Sequence, residues 1–334
     1  MHLGLLMLGV FVLAATLTGL MRRYALSVKL LDLPNERSSH QVPTPSGGGV
    51  AIVAAFMAGL GAAVDVADYR LPWAIPIAVL GVAVVGYVDD RRHIPAGWRL
   101  LSHFVLAGLA LWSIGIPKLD WLGHSVDLGL LGGILAILYL VWMLNLYNFM
   151  DGIDGIAGVE ALTAGVGAVA VWLVLGNGTI GDEISVGLVA AAAAGFLVWN
   201  FPPAKIFMGD AGSGFLGLIF GILSLRAALL EPSMFWCWLV LLGTFIVDAT
   251  ITLLRRLLRK EKAFRAHRDH AYQHASRELG AHRPVTLAVG AINLVWLLPW
   301  ALAIASGTID GPVALAVAYL PLVALALRFR AGLP

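Results

Sequence analysis

Long apolar stretches alternate with short polar segments along most of the chain. The stretches run for about 17 to 25 residues, the length that a helix needs to cross a hydrocarbon layer of about 30 Å. They show little of the polar striping at helical period that is typical of soluble amphipathic helices. The pattern predicts about eleven membrane-spanning helices, at residues 3–21, 47–64, 72–88, 100–115, 128–147, 157–176, 184–200, 212–230, 234–254, 285–306 and 311–328.

The composition favours the same class of protein. Of the 334 residues, 60% are hydrophobic and 13% are charged, whereas a soluble domain has about 25% charged residues. The single cysteine, Cys237, lies inside an apolar stretch, so no internal disulfide can form. The net charge of +2 gives no sign of a nucleic-acid partner, and none is expected. We predict an all-α polytopic membrane protein with one domain over residues 1–334.

Basic residues lie mainly on one side of the predicted helices. With the N-terminus outside, nineteen of the 22 Lys and Arg residues fall in segments on the inner side or at their edges. Because loops rich in Lys and Arg stay in the cytoplasm, this places the C-terminus in the cytoplasm. The first stretch is followed by Arg22 and Arg23 and has no positive residue before it, which favours a retained helix over a cleaved signal.

Five polar motifs interrupt the helices, and all five fall on the predicted cytoplasmic side. A transporter is expected to carry its polar residues near the middle of the membrane, in related halves of the chain. An enzyme that uses a cytosolic substrate would concentrate them at one face. A cation-coupled transporter remains the alternative, although the sequence contains no second copy of these motifs. The motifs occupy residues 43–49, 89–92, 145–155, 200–214 and 267–274.

Asp89 and Asp90 end the third predicted helix and precede Arg91 and Arg92. Taken alone, they could be a solvated helix end with local ion pairs. Two adjacent carboxylates are nevertheless costly unless a proton or a cation neutralises them. Mg²⁺ prefers oxygen ligands and often binds one or two carboxylates together with substrate phosphates. The pair is therefore a candidate for metal or phosphate chemistry.

The segment 145–155 carries the most specific pattern. Asn145, Asn148, Asp151 and Asp154 recur every three residues, so on a continuous helix they would form one polar stripe. A polar seam between helices would explain the two amides. It does not explain the two carboxylates, because acids within a membrane protein are expensive and usually functional. We interpret the stripe as part of an active site.

The segment 200–214 combines Asn200, Lys205, Phe207 and Asp210 with a Pro-Pro turn and several glycines. Asp210 stands where the next helix is predicted to start, and an N-cap is its structural alternative. A helix N-terminus with exposed glycine amides also suits phosphate. The segment lacks the Gly-Lys-Ser/Thr spacing of a P-loop. It predicts a phosphate-binding turn of another kind.

The longest hydrophilic segment, 255–284, is a basic loop that contains His267, His270 and His274. On a helix these three side chains would share one face, but no thiolate or fourth ligand supports a zinc site. A loop lying over anionic lipid would explain the arginines and not the histidines. A lid that binds phosphate through His267, Arg268 and His270 explains both.

Together, the order, spacing and topology of these motifs resemble the polyprenyl-phosphate N-acetylhexosamine-1-phosphate transferases over almost the whole chain. Members of that family start O-antigen, enterobacterial common antigen and teichoic acid synthesis, and the phospho-N-acetylmuramoyl-pentapeptide translocase is a relative. The translocase has consecutive histidines where this chain has His267-Arg-Asp-His270. This difference disfavours a peptide-bearing sugar and favours the O-antigen-initiating type.

The resemblance implies a substrate set and a location. The donor would be a UDP-N-acetylhexosamine, with GlcNAc or a 6-deoxy relative as the sugar, and the acceptor would be undecaprenyl phosphate in the lipid bilayer. The reaction would release UMP, require Mg²⁺ (or Mn²⁺) and form the first membrane step of an O-antigen-like polysaccharide. The enzyme would lie in the bacterial inner membrane with its active site at the cytoplasmic face. A homodimer is left open.

The resemblance also implies roles for particular residues. Asp210 would bind the metal with Asn148 as its partner, while Asp89 and Asp90 would lie near the phosphates and could join the metal. Asp89, Asp90 and Asp210 form the predicted catalytic set. We expect Asp248, in the ninth span, to be buried and hydrogen-bonded. The predicted substrate-binding set is Asn145, Asp151, Asp154, Asn200, Lys205, Phe207, His267, Arg268 and His270.

Overall fold

The computed structural model describes residues 2–34, 42–176, 182–261 and 267–333. Within these residues the regular structure is helical apart from two short hairpins, and one segment, Ile292–Leu297, is π-helical. The helices are α1 (His2–Ser27), α2 (Gly49–Ala67), α3 (Ala74–Asp89), α4 (Ala96–Ile114), α5 (Gly129–Met150), α6 (Ile156–Leu175), α7 (Asp182–Asn200), α8 (Asp210–Leu230), α9 (Ser233–Leu241), α10 (Gly243–Leu258), α11 (Ala271–Leu279), α12 (His282–Ala291), α13 (Leu298–Ala305) and α14 (Gly311–Arg328).

Each predicted span contains a helix, which confirms the all-α membrane architecture. In the described part of the chain, nine helices are long and apolar enough to cross a membrane, counting His282–Ala305 as one. The predicted ninth span is the pair α9 and α10, which is bent by 75° at Leu242. The predicted third span is α3, whose 16 residues are fewer than the roughly 20 that a full crossing takes. In the described residues, nine long helices, the bent pair and the shorter α3 thus correspond to the eleven predicted stretches.

Two antiparallel hairpins occupy opposite ends of the bundle. Strand β1 (Leu31–Asp32) pairs with β2 (Thr44–Pro45), and this hairpin brings the chain back from α1 to α2. Strand β3 (Leu119–Trp121) pairs with β4 (His124–Val126) between α4 and α5. The first hairpin lies beside the polar motifs, because Phe207 donates its backbone N–H to the Pro45 carbonyl at 2.8 Å.

Helix α8 is the most buried span and lies among α2, α3, α5 and α9. Small residues let its neighbours approach closely, as is common between membrane helices. A Cβ on Gly217 would collide with the backbone of Met143 in α5, and one on Gly86 would lie 2.5 Å from the backbone of Asp210. These close approaches bring the start of α8 against the ends of α3 and α5, where the polar motifs stand.

The opposite end of the bundle is held by a buried ion pair. Arg226 of α8 binds the carboxylate of Asp182, at the start of α7, through Nε and Nη2 at 2.8 to 3.2 Å. The Tyr69 hydroxyl lies 3.0 Å from Asp182 Oδ1 and 2.9 Å from Ser185 Oγ. The group links the α2–α3 connection to α7 and α8 at the end away from the polar motifs.

Candidate active site

A cavity of about 600 Å³ opens at the end of the bundle where the polar motifs meet. Several helix ends supply its walls: the ends of α3, α5 and α7, and the starts of α8 and α12. The predicted residues that line it are Asp90, Asn148, Asp151, Asp154, Asn200, Phe207 and Asp210. All five motifs therefore contribute to one cavity, since residues 43–49 supply Ser46 and Gly47 and the histidine segment supplies Gln273.

Asp90 and Asp210 stand side by side in this cavity. The backbone N–H of Asp210 donates to both carboxylate oxygens of Asp90, at 3.1 Å each. Gly209, with φ of +76°, makes the contact possible, since a Cβ there would lie 2.6 Å from Asp90 Oδ2. Burial and the neighbouring negative charge of Asp210 raise the pKa of Asp90 to about 7.

The side chain of Asp210 is held by an amide and approached by a guanidinium. Asn148 Nδ2 donates to Asp210 Oδ1 at 2.6 Å and also to Ser213 Oγ at 3.1 Å. Arg99 Nη1 lies 3.6 Å from Asp210 Oδ2. Asp210 is the first residue of α8, with Gly209 at the N-cap, so its carboxylate is not an N-cap. Asp210 and Asn148 are adjacent, as the metal hypothesis requires.

Asp89 and Asp90 have different surroundings. The Asp89 carboxylate accepts the backbone N–H of Ile94 at 2.7 Å and forms a short ion pair with Arg99. It is almost fully buried and is not among the residues that line the cavity. In this structure Asp89 orients Arg99, which in turn approaches Asp210, whereas Asp90 faces the cavity itself.

The predicted helical stripe of four polar residues is wrong in its second half. Asn145 and Asn148 lie on α5, but that helix ends at Met150 and a turn follows. Asp151 is the C-cap residue, with φ of −89° and ψ of +48°. The chain turns here because Gly155 adopts a φ of +75° and α6 begins at Ile156, so Asp151 and Asp154 project from a turn.

Asn145 lies beside the main cavity rather than in its wall. Its amide donates to the Val141 carbonyl at 2.7 Å. It borders a second cavity of about 20 Å³ that also contacts Arg99, His103, Asn148 and Asp210. That volume is enough for one water molecule. Asn145 and Asn148 border this small cavity together, and a role of Asn145 in substrate binding stays a prediction.

The carboxylates of Asp151 and Asp154 have different surroundings in this turn. Burial, together with the charges of Asp210 and Asp90, raises the pKa of Asp151. Asp154 Oδ2 accepts the backbone N–H of Ala204 at 3.0 Å, and its Oδ1 lies 3.1 Å from His282 Nδ1. The Asp154 side chain thus joins the turn after α5, the segment after α7 and the start of α12.

Asn200 and Lys205 differ in their relation to the cavity. Asn200 accepts the Gly155 N–H at 3.0 Å and donates to the Ile206 carbonyl at 2.9 Å, which fixes the two cavity-forming turns together. Lys205 is exposed, with its ammonium 5.6 Å from the ring of Trp199, and it is not among the residues that line the cavity. Phe207 does line the cavity.

The predicted helical face of three histidines is wrong, because α11 begins only at Ala271. His270 is buried with its Nδ1 3.3 Å from Asp248 Oδ1, and that carboxylate also accepts the N–H groups of Ala271 and Tyr272, both at 2.9 Å. Asp248 therefore holds the start of α11, which confirms that it is buried and hydrogen-bonded.

His267 and Arg268 also lie away from the cavity wall. The His267 ring stacks on His270 with centroids 5.0 Å apart. Burial first, and then the nearby His270 and Arg256, lower the pKa of His267 to about 4, so it is neutral at pH 7. Arg268 is exposed. The clamp by His267, Arg268 and His270 remains a prediction, and in this structure the three residues are not part of the described cavity wall.

Several residues of the site were not singled out from the sequence. Arg99 joins Asp89 to Asp210, and Gln273 and His282 line the cavity. Arg99 and His282 lie in or beside predicted loops and carry no motif of their own. Gln273 lies inside the histidine segment, where the neighbouring histidines drew the attention. Their position in the fold, and not a pattern of spacing, identifies them.

Comparison with known proteins assigns the family. The chain matches glycosyl transferase family 4 over residues 72–228. It is 30% identical over 311 residues to a probable undecaprenyl-phosphate N-acetylglucosaminyl 1-phosphate transferase of Bacillus subtilis, covering 88% of this chain and 82% of that protein. The chain belongs to the polyprenyl-phosphate N-acetylhexosamine-1-phosphate transferase family. The interpretation of the chain as a transferase is confirmed, and the alternative of a cation-coupled transporter is rejected.

Other relatives lie in two branches of this family. The chain is 29% identical over 314 residues to the decaprenyl-phosphate N-acetylglucosaminephosphotransferase of Mycobacterium leprae, covering 81% of this chain and 76% of the relative. It is 31% identical over 231 residues to the phospho-N-acetylmuramoyl-pentapeptide-transferase of Moorella thermoacetica, covering 64% and 69%. The matched family region, 72–228, includes Asp90, Asn148, Asp151 and Asp210 of the cavity.

Proposed function

We propose that this family member transfers an N-acetylhexosamine 1-phosphate from a UDP-sugar to undecaprenyl phosphate and releases UMP. The sugar is GlcNAc or a 6-deoxy relative, and the product starts an O-antigen-like surface polysaccharide. The cavity faces the cytoplasm of a bacterial inner membrane, where the nucleotide sugar is available. The relatives named above act with undecaprenyl or decaprenyl phosphate and N-acetylglucosamine, which supports the acceptor and the sugar class.

One observation carries this proposal: a cluster of three acids and an amide shares a cavity with an aromatic side chain. Asp90, Asp151 and Asp210 lie with Asn148 at the acidic part of the cavity, and Phe207 also lines it. The volume of about 600 Å³ falls within the usual range for small-molecule sites, about 300 to 1,000 Å³. An aromatic ring can stack on uracil, and the acids suit a metal-bound diphosphate.

The acidic cluster fits Mg²⁺ or Mn²⁺. Burial and mutual repulsion raise the pKa values of Asp90 and Asp151, and a divalent cation would relieve that repulsion. In the described residues no three His, Cys, Asp or Glu side chains form a ready-made ligand set. Mg²⁺ does not need such a set, because it commonly keeps water and uses one or two carboxylates with substrate phosphates. Asp210 and Asn148 would hold it, with the Asn148 amide turned to present its oxygen.

The reaction joins two anions, so charge neutralisation dominates its energetics. Two unit charges 4 Å apart repel by about 4 kcal/mol at an effective dielectric constant near 20. The bound metal ion would supply positive charge to the diphosphate. Arg99 adds positive charge 3.6 Å from Asp210, and it is held in place by Asp89. These groups stabilise the charge that develops during phosphoryl transfer.

The bond changes follow from the two substrates. A lipid phosphate oxygen attacks the sugar-side phosphorus, and the bond from that phosphorus to the UMP oxygen breaks. Any proton on the lipid phosphate passes to Asp90, because Asp90 faces the cavity while Asp89 is engaged by Arg99 and Ile94. Asp154 accepts a hydrogen bond from Ala204 and lies beside His282. It thereby fixes the turn after α5, which we assign to the nucleotide part of the donor.

The test uses purified full-length protein in lipid nanodiscs with undecaprenyl phosphate and a panel of UDP-sugars. Released UMP and the mass of the lipid product identify the reaction and the sugar. We expect turnover with one N-acetylated sugar, its loss on chelation, and its return on adding Mg²⁺ or Mn²⁺. Turnover that persists after exhaustive chelation would remove the metal from the proposal. Absence of a lipid-linked product with every UDP-sugar would overturn the proposed donor.

A further inference from the structure

Residues 329–333, which follow α14, fold back onto the segment that precedes and forms α11. We call residues 329–333 the strap. Its middle residue, Ala331, is fully buried. Gly332 donates its backbone N–H to the Asp269 carbonyl at 2.7 Å. The Leu333 carbonyl lies 3.0 Å from His274 Nε2, so the strap contacts α11 and the residues just before it.

The hydrogen bonds around His274 fix which ring nitrogen carries the proton. Arg277 Nη2 lies 2.9 Å from His274 Nδ1 and, as a guanidinium, can only donate. Nδ1 is therefore the acceptor, and Nε2 donates its N–H to the Leu333 carbonyl. The strap thus uses a carbonyl to hold a neutral histidine on α11.

The arginines at the end of α10 bind the strap and the histidine segment. Arg255 Nη1 donates to the Ala331 carbonyl at 2.8 Å, and Arg259 Nη1 donates to the Gly332 carbonyl at 3.2 Å. Arg256 is buried and forms a short ion pair with the Asp269 carboxylate. Each of the three arginines therefore has a defined partner within the protein, which a general role in attracting anionic lipid does not require.

Position 332 accepts only glycine without strain. Its φ of +72° lies in the left-handed region. A Cβ there would also lie 2.8 Å from the Thr252 carbonyl and 2.8 Å from Arg255 Cβ. A larger residue would therefore push the strap away from α10 and lengthen its hydrogen bond to Asp269.

The segment held by the strap forms one wall of the active-site cavity. Tyr272 donates its hydroxyl hydrogen to the Phe149 carbonyl at 2.9 Å, and it packs so closely on Gly152 that a Cβ there would collide with it. Gln273 lines the cavity. Helix α11 has nine residues, and helices this short are not stable without tertiary contacts. Contacts in its first half, from the strap, from Asp248 and from the turn after α5, therefore decide where Gln273 stands.

We propose that the strap is a latch that fixes α11 against the cavity, and that Gly332 and Arg255 are positioning residues for the transfer reaction. The latch contacts Asp269, which precedes α11, and His274, which lies on α11. By fixing α11 it also fixes Gln273 and the turn after α5. This inference rests on the proposed function for its kinetic readout. Its structural readout, the protection of α11, is independent of any substrate.

The test compares Gly332→Ala with Gly307→Ala in the full chain. Gly307 has nearly the same φ, +70°, but a Cβ there would meet nothing within 4 Å. Both variants therefore carry the same backbone strain, and only Gly332→Ala disturbs the strap. Hydrogen exchange of the α11 amides and the KM values for both substrates are measured in nanodiscs.

For Gly332→Ala we expect exchange of the α11 amides to rise by about tenfold or more, as local opening becomes easier. The KM for the UDP-sugar should also rise by about tenfold, since small misplacements of positioning groups are costly. The KM for the lipid should stay unchanged, and Gly307→Ala should match the wild type. Equal exchange of α11 in the two glycine variants would overturn the latch. Raised exchange with unchanged KM values would overturn the positioning role alone.

A second pair of variants keeps the test decisive if Gly332→Ala does not fold. Arg255→Met removes the donor to the Ala331 carbonyl, whereas Arg255→Lys retains one. We expect Arg255→Met to reproduce the changes in exchange and KM, and Arg255→Lys to bring both values part of the way back to those of the wild type.

A double-mutant cycle combines Arg255→Met with Gln273→Ala. The effects of the two substitutions on KM should be less than additive, because both act through Gln273. Full additivity would contradict the latch. A wild type that uses no UDP-sugar would defeat the proposed function but leave the exchange result intact.

Discussion

The backbone N–H of Asp210 donates to both carboxylate oxygens of Asp90, which joins the first residue of α8 to the residue after α3. The contact places two acids from motifs 120 residues apart in one cavity. It also ties the conformation of the Asp90 carboxylate to the backbone of the proposed metal ligand. Any change that moves the start of α8 will therefore alter both acids together.

Asp210→Asn should abolish turnover while the fold stays intact. The substitution keeps the size of the side chain and its contact with Asn148 but removes the negative charge that a metal requires. We expect a fall of at least about 10²-fold, the size seen when one charge-stabilising group is lost from an active site. UMP release measures turnover, and thermal unfolding checks the fold. Asp310→Asn, on an exposed acid at the start of α14, is the control. Near-normal activity of Asp210→Asn at limiting Mg²⁺ would remove the assignment.

Arg99→Met should reduce turnover more than Arg92→Met does. Arg99 pairs with Asp89 and approaches Asp210, whereas Arg92 is an exposed neighbour on the same connection. Losing Arg99 leaves Asp89 as a buried charge without its partner and removes positive charge from the phosphate region. We expect a decrease of about 10²-fold for Arg99→Met, with partial recovery in Arg99→Lys. Equal activity of the Arg99 and Arg92 variants would show that the ion pair has no part in the reaction.

Phe207→Ala should weaken binding of the UDP-sugar more than binding of the lipid. The ring lines the cavity, and stacking of a base on an aromatic side chain contributes about 1 to 3 kcal/mol. That corresponds to a rise of about 5- to 150-fold in the dissociation constant of UDP. Calorimetry with UDP and the KM for undecaprenyl phosphate separate the two effects. A parallel loss for both ligands would instead indicate damage to the whole site.

The protonation of His267 should make stability depend on pH between about 4 and 6.5. Its pKa is about 4 in the folded protein and 6.5 in a model peptide, so in this window the unfolded chain binds more protons. Stability from this residue is therefore complete above pH 6.5 and is lost as the pH falls towards 4.

His267→Gln removes that proton uptake, so its unfolding temperature should fall less between pH 6.5 and pH 4 than that of the wild type. The difference between the two proteins isolates His267 from the carboxylates that titrate in the same range. His124→Gln, which changes an exposed histidine of β4, is a useful comparison. Identical pH slopes for wild type and His267→Gln would contradict the lowered pKa.

The amino-acid sequence by itself determined the membrane class, the helices and the motifs that supply most of the cavity wall. Hydrophobic length fixes a spanning helix locally, because a lipid-exposed backbone must satisfy its own hydrogen bonds. Acids such as Asp151 and Asp210 stand out in an apolar chain because burying a charge is expensive. The motifs also specified the family. Each of these conclusions depends on residues that are close in the sequence.

The tertiary structure decided which of these residues share the cavity. Asp89 and Asp90 are neighbours in sequence, yet one binds Arg99 and the other faces the cavity, because adjacent side chains at a helix end point in different directions. The helical stripe failed at Asp151 because Gly155 allows a turn that periodicity does not reveal. Local spacing cannot report such contacts.

Partners distant in sequence were likewise visible only in the fold. Asp248 holds α11 from another helix, and the strap reaches Asp269 from beyond α14. Glu160, buried inside α6, accepts hydrogen bonds from Thr244 and Asn293. Nothing in the sequence pairs these residues, because their interactions depend on how helices pack and not on the order of residues within them.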